Sequence, residues 1–166
     1  MTHIEAKEYY EIIYDILSND EFQKRKKYHH HGDITVYDHS LAVSKLSYII
    51  AKKLKKDYKS AAIGGLLHDF YREPWQEKKE KEKFLKKHGF THAKDAKENS
   101  YYYFPQLMNN KIENIILRHM FPLNKIPPKY VEGWIVTFAD KYISLEVFKN
   151  PKFLYRLIGI QKKVGD

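Results

Sequence analysis

Apolar residues recur three and four positions apart in one segment after another, the pattern of helices that bury one face against their neighbours. Ile4, Tyr9, Ile12, Ile13, Ile16 and Leu17 mark a first amphipathic helix over 4–17. A second is expected to start near Asp38. Its stripe is Val43, Leu46, Ile50 and Leu54, with His39 on the same side. Asp57 is placed to cap a third helix through 58–70, in which Gly64 and Gly65 stand one turn ahead of His68. Gly costs a helix about 1 kcal/mol relative to Ala, so the pair predicts a neighbouring helix at close range.

A Lys/Glu-rich helix over 76–88 is expected to end at Gly89, and Thr91 to cap the next, with His92 in its first turn and Pro105 closing it. Further helices are expected over 110–119, after Pro127-Pro128 (Val131, Trp134, Ile135, Phe138, Tyr142) and from near Pro151. No strand, internal repeat or domain boundary stands out. The expectation is an all-α protein, a compact helical bundle of one domain over 1–166.

Composition narrows the chemistry. There is no cysteine, which excludes disulfides, thiolate metal sites and a Cys nucleophile. The N-terminus lacks a basic segment followed by an apolar one, and no run of 18 apolar residues occurs. A cytoplasmic protein without membrane contact is therefore expected. The net charge of +9 is carried largely by mixed Lys/Glu runs such as QEKKEKEKFLKK, so it supports an anionic ligand only weakly.

At a few places a ligand-capable side chain interrupts an apolar helical face. His39 lies on the second stripe, and His68 and Asp69 end the third helix in LLHDF. His119 follows Ile115 and Ile116 in ENIILRHM, and Asp140 sits in VTFADKYIS. A buried, unpaired carboxylate is costly, so Asp140 needs a cation or a donor network. Taken singly, each has an ordinary explanation as a satisfied core histidine or a cap.

Together, YDHSLAVS, GGLLHDF and FADKYIS, in that order on successive helices, resemble the HD domain superfamily of metal-dependent phosphohydrolases, small stand-alone members in particular. The resemblance runs from about residue 31 to 145. It implies His39, His68, Asp69 and Asp140 as ligands of a first divalent ion, with His68 and Asp69 central to catalysis. FTHAKDA and LRHMFPL resemble members with a second ion, which implies His92 and His119 as its ligands and Asp69 as the shared group. Such ligands suit Fe, Mn, Co, Ni, Zn or Mg without choosing among them. The implied reaction is hydrolysis of a nucleotide or other small phosphoester by a metal-activated water. The sequence has no G-x-S-x-G elbow and no phosphate-binding P-loop.

For the substrate phosphate, Arg72 stands three residues after Asp69, where many members with an HDxGK motif carry Lys. Arg keeps the charge and can grip a phosphate with two parallel hydrogen bonds. An exposed loop Arg is the plain alternative. His31, just before the ligand helix, is the second candidate, against a solvated place in the His29-His30-His31 run. Lys141 adjoins Asp140 but its helical phase is expected to turn it away. No GYP-like sequence follows, which disfavours the diguanylate-specific HD-GYP branch. The alternatives are a di-iron oxygenase on the same fold and a basic nucleic-acid-binding protein using KRKK at 24–27 and KKLKK at 52–56. Oligomeric state is left open.

Overall fold

The structure, a computed structural model, describes residues 2–31, 33–71 and 84–159. Helix α1 spans His3–Leu17, held at its start by a reciprocal cap between Thr2 and Glu5. A short helix α2, Asp20–Gln23, and a 3-10 turn, Lys24–Lys27, lead into strand β1, His29–His31. β1 pairs antiparallel with β2, Ile34–Thr35. Then come α3 Val36–Lys53, α4 Tyr58–Leu67, α5 Phe84–Tyr103, α6 Asn110–Arg118, α7 Val131–Lys149 and α8 Pro151–Ile158.

The all-helical expectation holds, with differences that have physical causes. The hairpin of β1 and β2 was not expected, because a three-residue strand is too short for alternation to show in sequence. α3 begins at Val36 rather than near Asp38. Thr35 is its cap, and Asp38 closes the capping box from inside the helix. α4 is capped by Asp57 as expected but ends at Leu67, not at 70. Gly89 and Thr91 do not divide two helices: α5 runs through both as one element. An internal glycine costs about 1 kcal/mol, which other contacts along a 20-residue helix can offset. Of the helix expected over 76–88, the part before 84 lies outside the described residues.

α4 is the centre of the bundle, buried at every position from Ser60 to Leu67. It packs between α3 and α6, and its two glycines make that possible. A Cβ on Gly65 would lie 3.0 Å from the backbone Cα of Ser44 in α3, and one on Gly64 would lie 2.7 Å from Ile115 Cγ2 in α6. Ser44 ties three helices together. Its hydroxyl donates to Ala62 O in α4 at 2.7 Å and accepts from Tyr9 of α1 at 3.0 Å. One residue earlier in α1, Glu8 accepts from Tyr48 at 2.6 Å, from Tyr58 at 2.9 Å and from Lys52. Those donors, Lys52 first, hold its pKa down to about 2.

α7 crosses α3, α4 and α6 and buries Val136, Ala139, Ile143 and Val147. Two large apolar residues of the same helix are not in the core: Trp134 is 46% exposed and Phe138 58%. The helix is apolar around nearly its whole circumference, so spacing alone does not tell its inner side from its outer. No helix among the described residues is long and apolar enough to cross a membrane.

Candidate metal centre

The close packing of α3, α4 and α6 carries their polar residues to one place. His68 is the C-cap of α4 and His119 the C-cap of α6, so each stands where a helix presents unpaired carbonyls and the negative end of its dipole. His39 lies in the first turns of α3, His92 in α5, Asp69 directly after His68, and Asp140 midway along α7. His39, His68 and His119 are no more than 1% exposed, and Asp69 and His92 are also buried. The side chain of Asp140 is 15% exposed.

The two capping histidines use the same device. Nδ1–H of His68 donates to Gly65 O at 2.8 Å, and Nδ1–H of His119 donates to Ile116 O at 2.7 Å. A carbonyl can only accept, so in each neutral ring the lone pair is on Nε2, which faces the centre. Around that centre His39 Nε2 is 3.0 Å from Asp140 Oδ1, and His68 Nε2 is 3.7 Å from the same oxygen and 3.5 Å from Asp69 Oδ2. Asp69 turns its other oxygen to a second pair: Oδ1 is 3.5 Å from His92 Nε2 and 3.7 Å from His119 Nε2, which lie 3.2 Å from each other.

These spacings fit a shared cation better than a hydrogen-bond network. Direct N–H···O bonds run at about 2.7–3.2 Å, and most of the contacts are longer. Two donors held about 2.1 Å from one ion at about 90–130° stand about 3.0–3.8 Å apart, the range seen here. His68 Nε2 is buried, lacks a partner at direct hydrogen-bond distance and faces two carboxylates. Among the described residues, His39, His68 and Asp140 form one group able to hold a metal, and His68, Asp69 and His119 another.

The electrostatics are those of a cluster waiting for positive charge. Burial pushes the pKa of His68 down, but Asp69 and Asp140 outweigh it and raise it to about 9. Asp140 is held well below the ordinary carboxylate range: burial opposes ionisation, but His39 and His68 prevail. Burial likewise works against Asp69, yet the four surrounding imidazoles, His68 foremost, lower it too. For His119, burial and then the neighbouring His68 and His92 depress the pKa to about 3.

In the metal-free protein His68 titrates higher than a free histidine, whose pKa is about 6.5, so its contribution to stability is full below pH 6.5 and is lost as pH rises through about 9. His119 titrates lower, so its effect runs the other way: stability falls as pH drops from 6.5 toward 3. Thermal unfolding with chelator should therefore show a decline in Tm from pH 6.5 to 9. A metal ion takes the place of that proton, so the loaded protein should lack the decline. Parallel melting curves with and without EDTA check this.

The six ligand positions expected from sequence thus converge on one centre. Of the two phosphate candidates, Arg72 lies outside the described residues, and His31 is the last residue of β1. Two groups were missed. Lys141 was expected to point away, yet its ammonium donates to His119 O at 3.2 Å and lies 4.0 Å from Asp140 Oδ2. Helical phase places a Cβ, but a four-carbon side chain can sweep back past it. The other is His30, whose Nε2 is 3.8 Å from Asp69 Oδ2. Three identical histidines in a row gave no signal to choose among them.

An all-helical bundle with a buried His/Asp cluster at the ends of its central helices defines a candidate metal-site protein. A family model for the HD domain matches residues 36–145, about two thirds of the chain, and the chain belongs to that family. The match takes in all six converging residues, the whole of α3, α4, α5 and α6, and most of α7. No curated protein and no solved structure matches it.

Proposed function

We propose that the protein is a metal-dependent phosphohydrolase acting on a nucleotide or another small phosphoester. The observation that carries this reading is the division of Asp69. One carboxylate oxygen faces His68, and the other faces His92 and His119. Such a group can be shared by two ions, the first held also by His39, His68 and Asp140, the second by His92 and His119. Divalent cations there would supply an activated water and positive charge for a phosphate.

The chain's own groups support the same chemistry. The capping histidines are locked in the tautomer that leaves Nε2 for a metal. Lys141, its side chain 43% exposed, puts a cation at the rim beside Asp140, where an incoming phosphate would meet it. Arg72 is assigned to the phosphate on its place after Asp69, and His31 is kept as a second such contact. The nucleic-acid reading has less to draw on. Arg25, in the middle of KRKK, is fully buried, and Lys52 of the second basic run is held by Glu8.

The test is metal analysis of the purified protein followed by a screen of mono-, di- and dinucleotides for phosphate release. Loaded protein that releases phosphate from none of them would overturn the proposal. Oxygen consumption by anaerobically iron-loaded protein would redirect it to the di-iron reading. For the second ion, His119→Ala is expected to lower bound metal from two per chain to one, read by elemental analysis.

A further inference from the structure

β1 carries three consecutive histidines, and successive residues of a strand face opposite sides. His29 is exposed. His30 turns inward, its side chain only 15% exposed, and its ring lies flat on that of His39, with centroids 3.9 Å apart and planes 12° from parallel. No position of the family pattern carried over above falls on His30.

Its place is built rather than incidental. Just upstream, the buried guanidinium of Arg25 sits between the rings of Tyr28 and Phe70, 5.0 and 4.8 Å from their centroids. Phe70 directly follows Asp69, so this contact fixes the strand's approach to the carboxylate. The Val36 N–H donates to Tyr28 O at 2.8 Å and ties the strand to the start of α3, which carries His39.

From there His30 Nε2 reaches 3.8 Å from Asp69 Oδ2. That is too long for a hydrogen bond and falls within the span of two atoms bound to one cation. His30, His39 and Asp69 also offer three ligand atoms within 4.8 Å of one another. We infer that His30 is a further ligand of the metal centre, joining His39 and Asp69 on its solvent-facing side. The inference rests on reading the centre as a metal site. It would add a ligand atom from the hairpin to those that His39 and Asp69 offer.

Titration of metal-free protein with Co(II), followed by calorimetry and visible absorption, tests this without any substrate. His30→Ala is expected to weaken Co(II) binding at least about tenfold and to change the absorption spectrum, while His29→Ala leaves both unchanged. His30→Phe keeps a ring to stack on His39 but has no ligand atom, so it should fail as His30→Ala does. The metal-free variants are compared by circular dichroism to establish that each is folded. Wild-type affinity and spectrum in His30→Ala would overturn the inference, and so would their recovery in His30→Phe, which would make the residue a packing element. A His30→Ala protein that binds Co(II) normally but loses inhibition by inorganic phosphate would also overturn it, moving the residue to the substrate. If wild type takes up no Co(II) at all, the metal reading fails, not this part of it alone.

Discussion

Asp69→Ala should strip the protein of both ions and of turnover while leaving it helical. The carboxylate stands 3.5 Å from His68, 3.5 Å from His92 and 3.7 Å from His119, so among the described residues it is the acid that faces both halves of the centre. Metal-supplied charge contributes several kcal/mol to phosphate chemistry, and each 1.36 kcal/mol is a factor of ten. Activity is therefore expected to fall at least about a thousandfold. Elemental analysis should find less than one ion per chain, while the far-ultraviolet circular dichroism is retained. Full activity in this variant would dispose of the proposed centre. His68→Ala should behave alike, because its Nε2 faces both carboxylates, Asp69 at 3.5 Å and Asp140 at 3.7 Å.

The second large effect is expected at Gly65→Ala, a residue whose own side chain offers no ligand atom. The added methyl group meets Ser44 Cα at 3.0 Å and Ser44 N at 3.2 Å, both backbone atoms. No side-chain rotation relieves that, so α3 and α4 must move apart. Overpacking of this kind costs about 1–3 kcal/mol, or about 2–4 °C in Tm for each kcal/mol in a chain of this size. His39 and His68 ride on those two helices, so metal affinity should fall with stability. Gly64→Ala provides the contrast. The three atoms nearest its methyl group all belong to the Ile115 side chain, with Cγ2 at 2.7 Å, so Ile115→Ala should rescue it in a double mutant. No side-chain truncation should rescue Gly65→Ala. Equal rescue of both would show that the helices are not held at backbone contact.

The residues that proved legible in sequence did so because each broke a rule. His39, His119 and Asp140 interrupt apolar faces, and the Gly64-Gly65 pair accepts a helix penalty that only close packing explains. Asp57 was readable because a cap has a local cause, its carboxylate accepting from the Ser60 N–H at 3.0 Å. The features that escaped depend on distant partners. The β1–β2 pairing, the continuity of α5 through Gly89 and the sidedness of α7 are decided by what packs against them. For Lys141 and His30, the deciding facts were the reach of a long side chain and the facing of a short strand.

His39 and Asp140 touch across 101 positions of chain. An ion held between them acts as a cross-link, fastening the start of α3 to the middle of α7, with the ends of α4 and α6 drawn into the same knot. Whatever binds the folded chain and not the unfolded one stabilises it in proportion to the logarithm of its concentration over its dissociation constant. Scarcity of metal would then loosen the bundle as well as silence it, and a protease should distinguish the starved form from the loaded one.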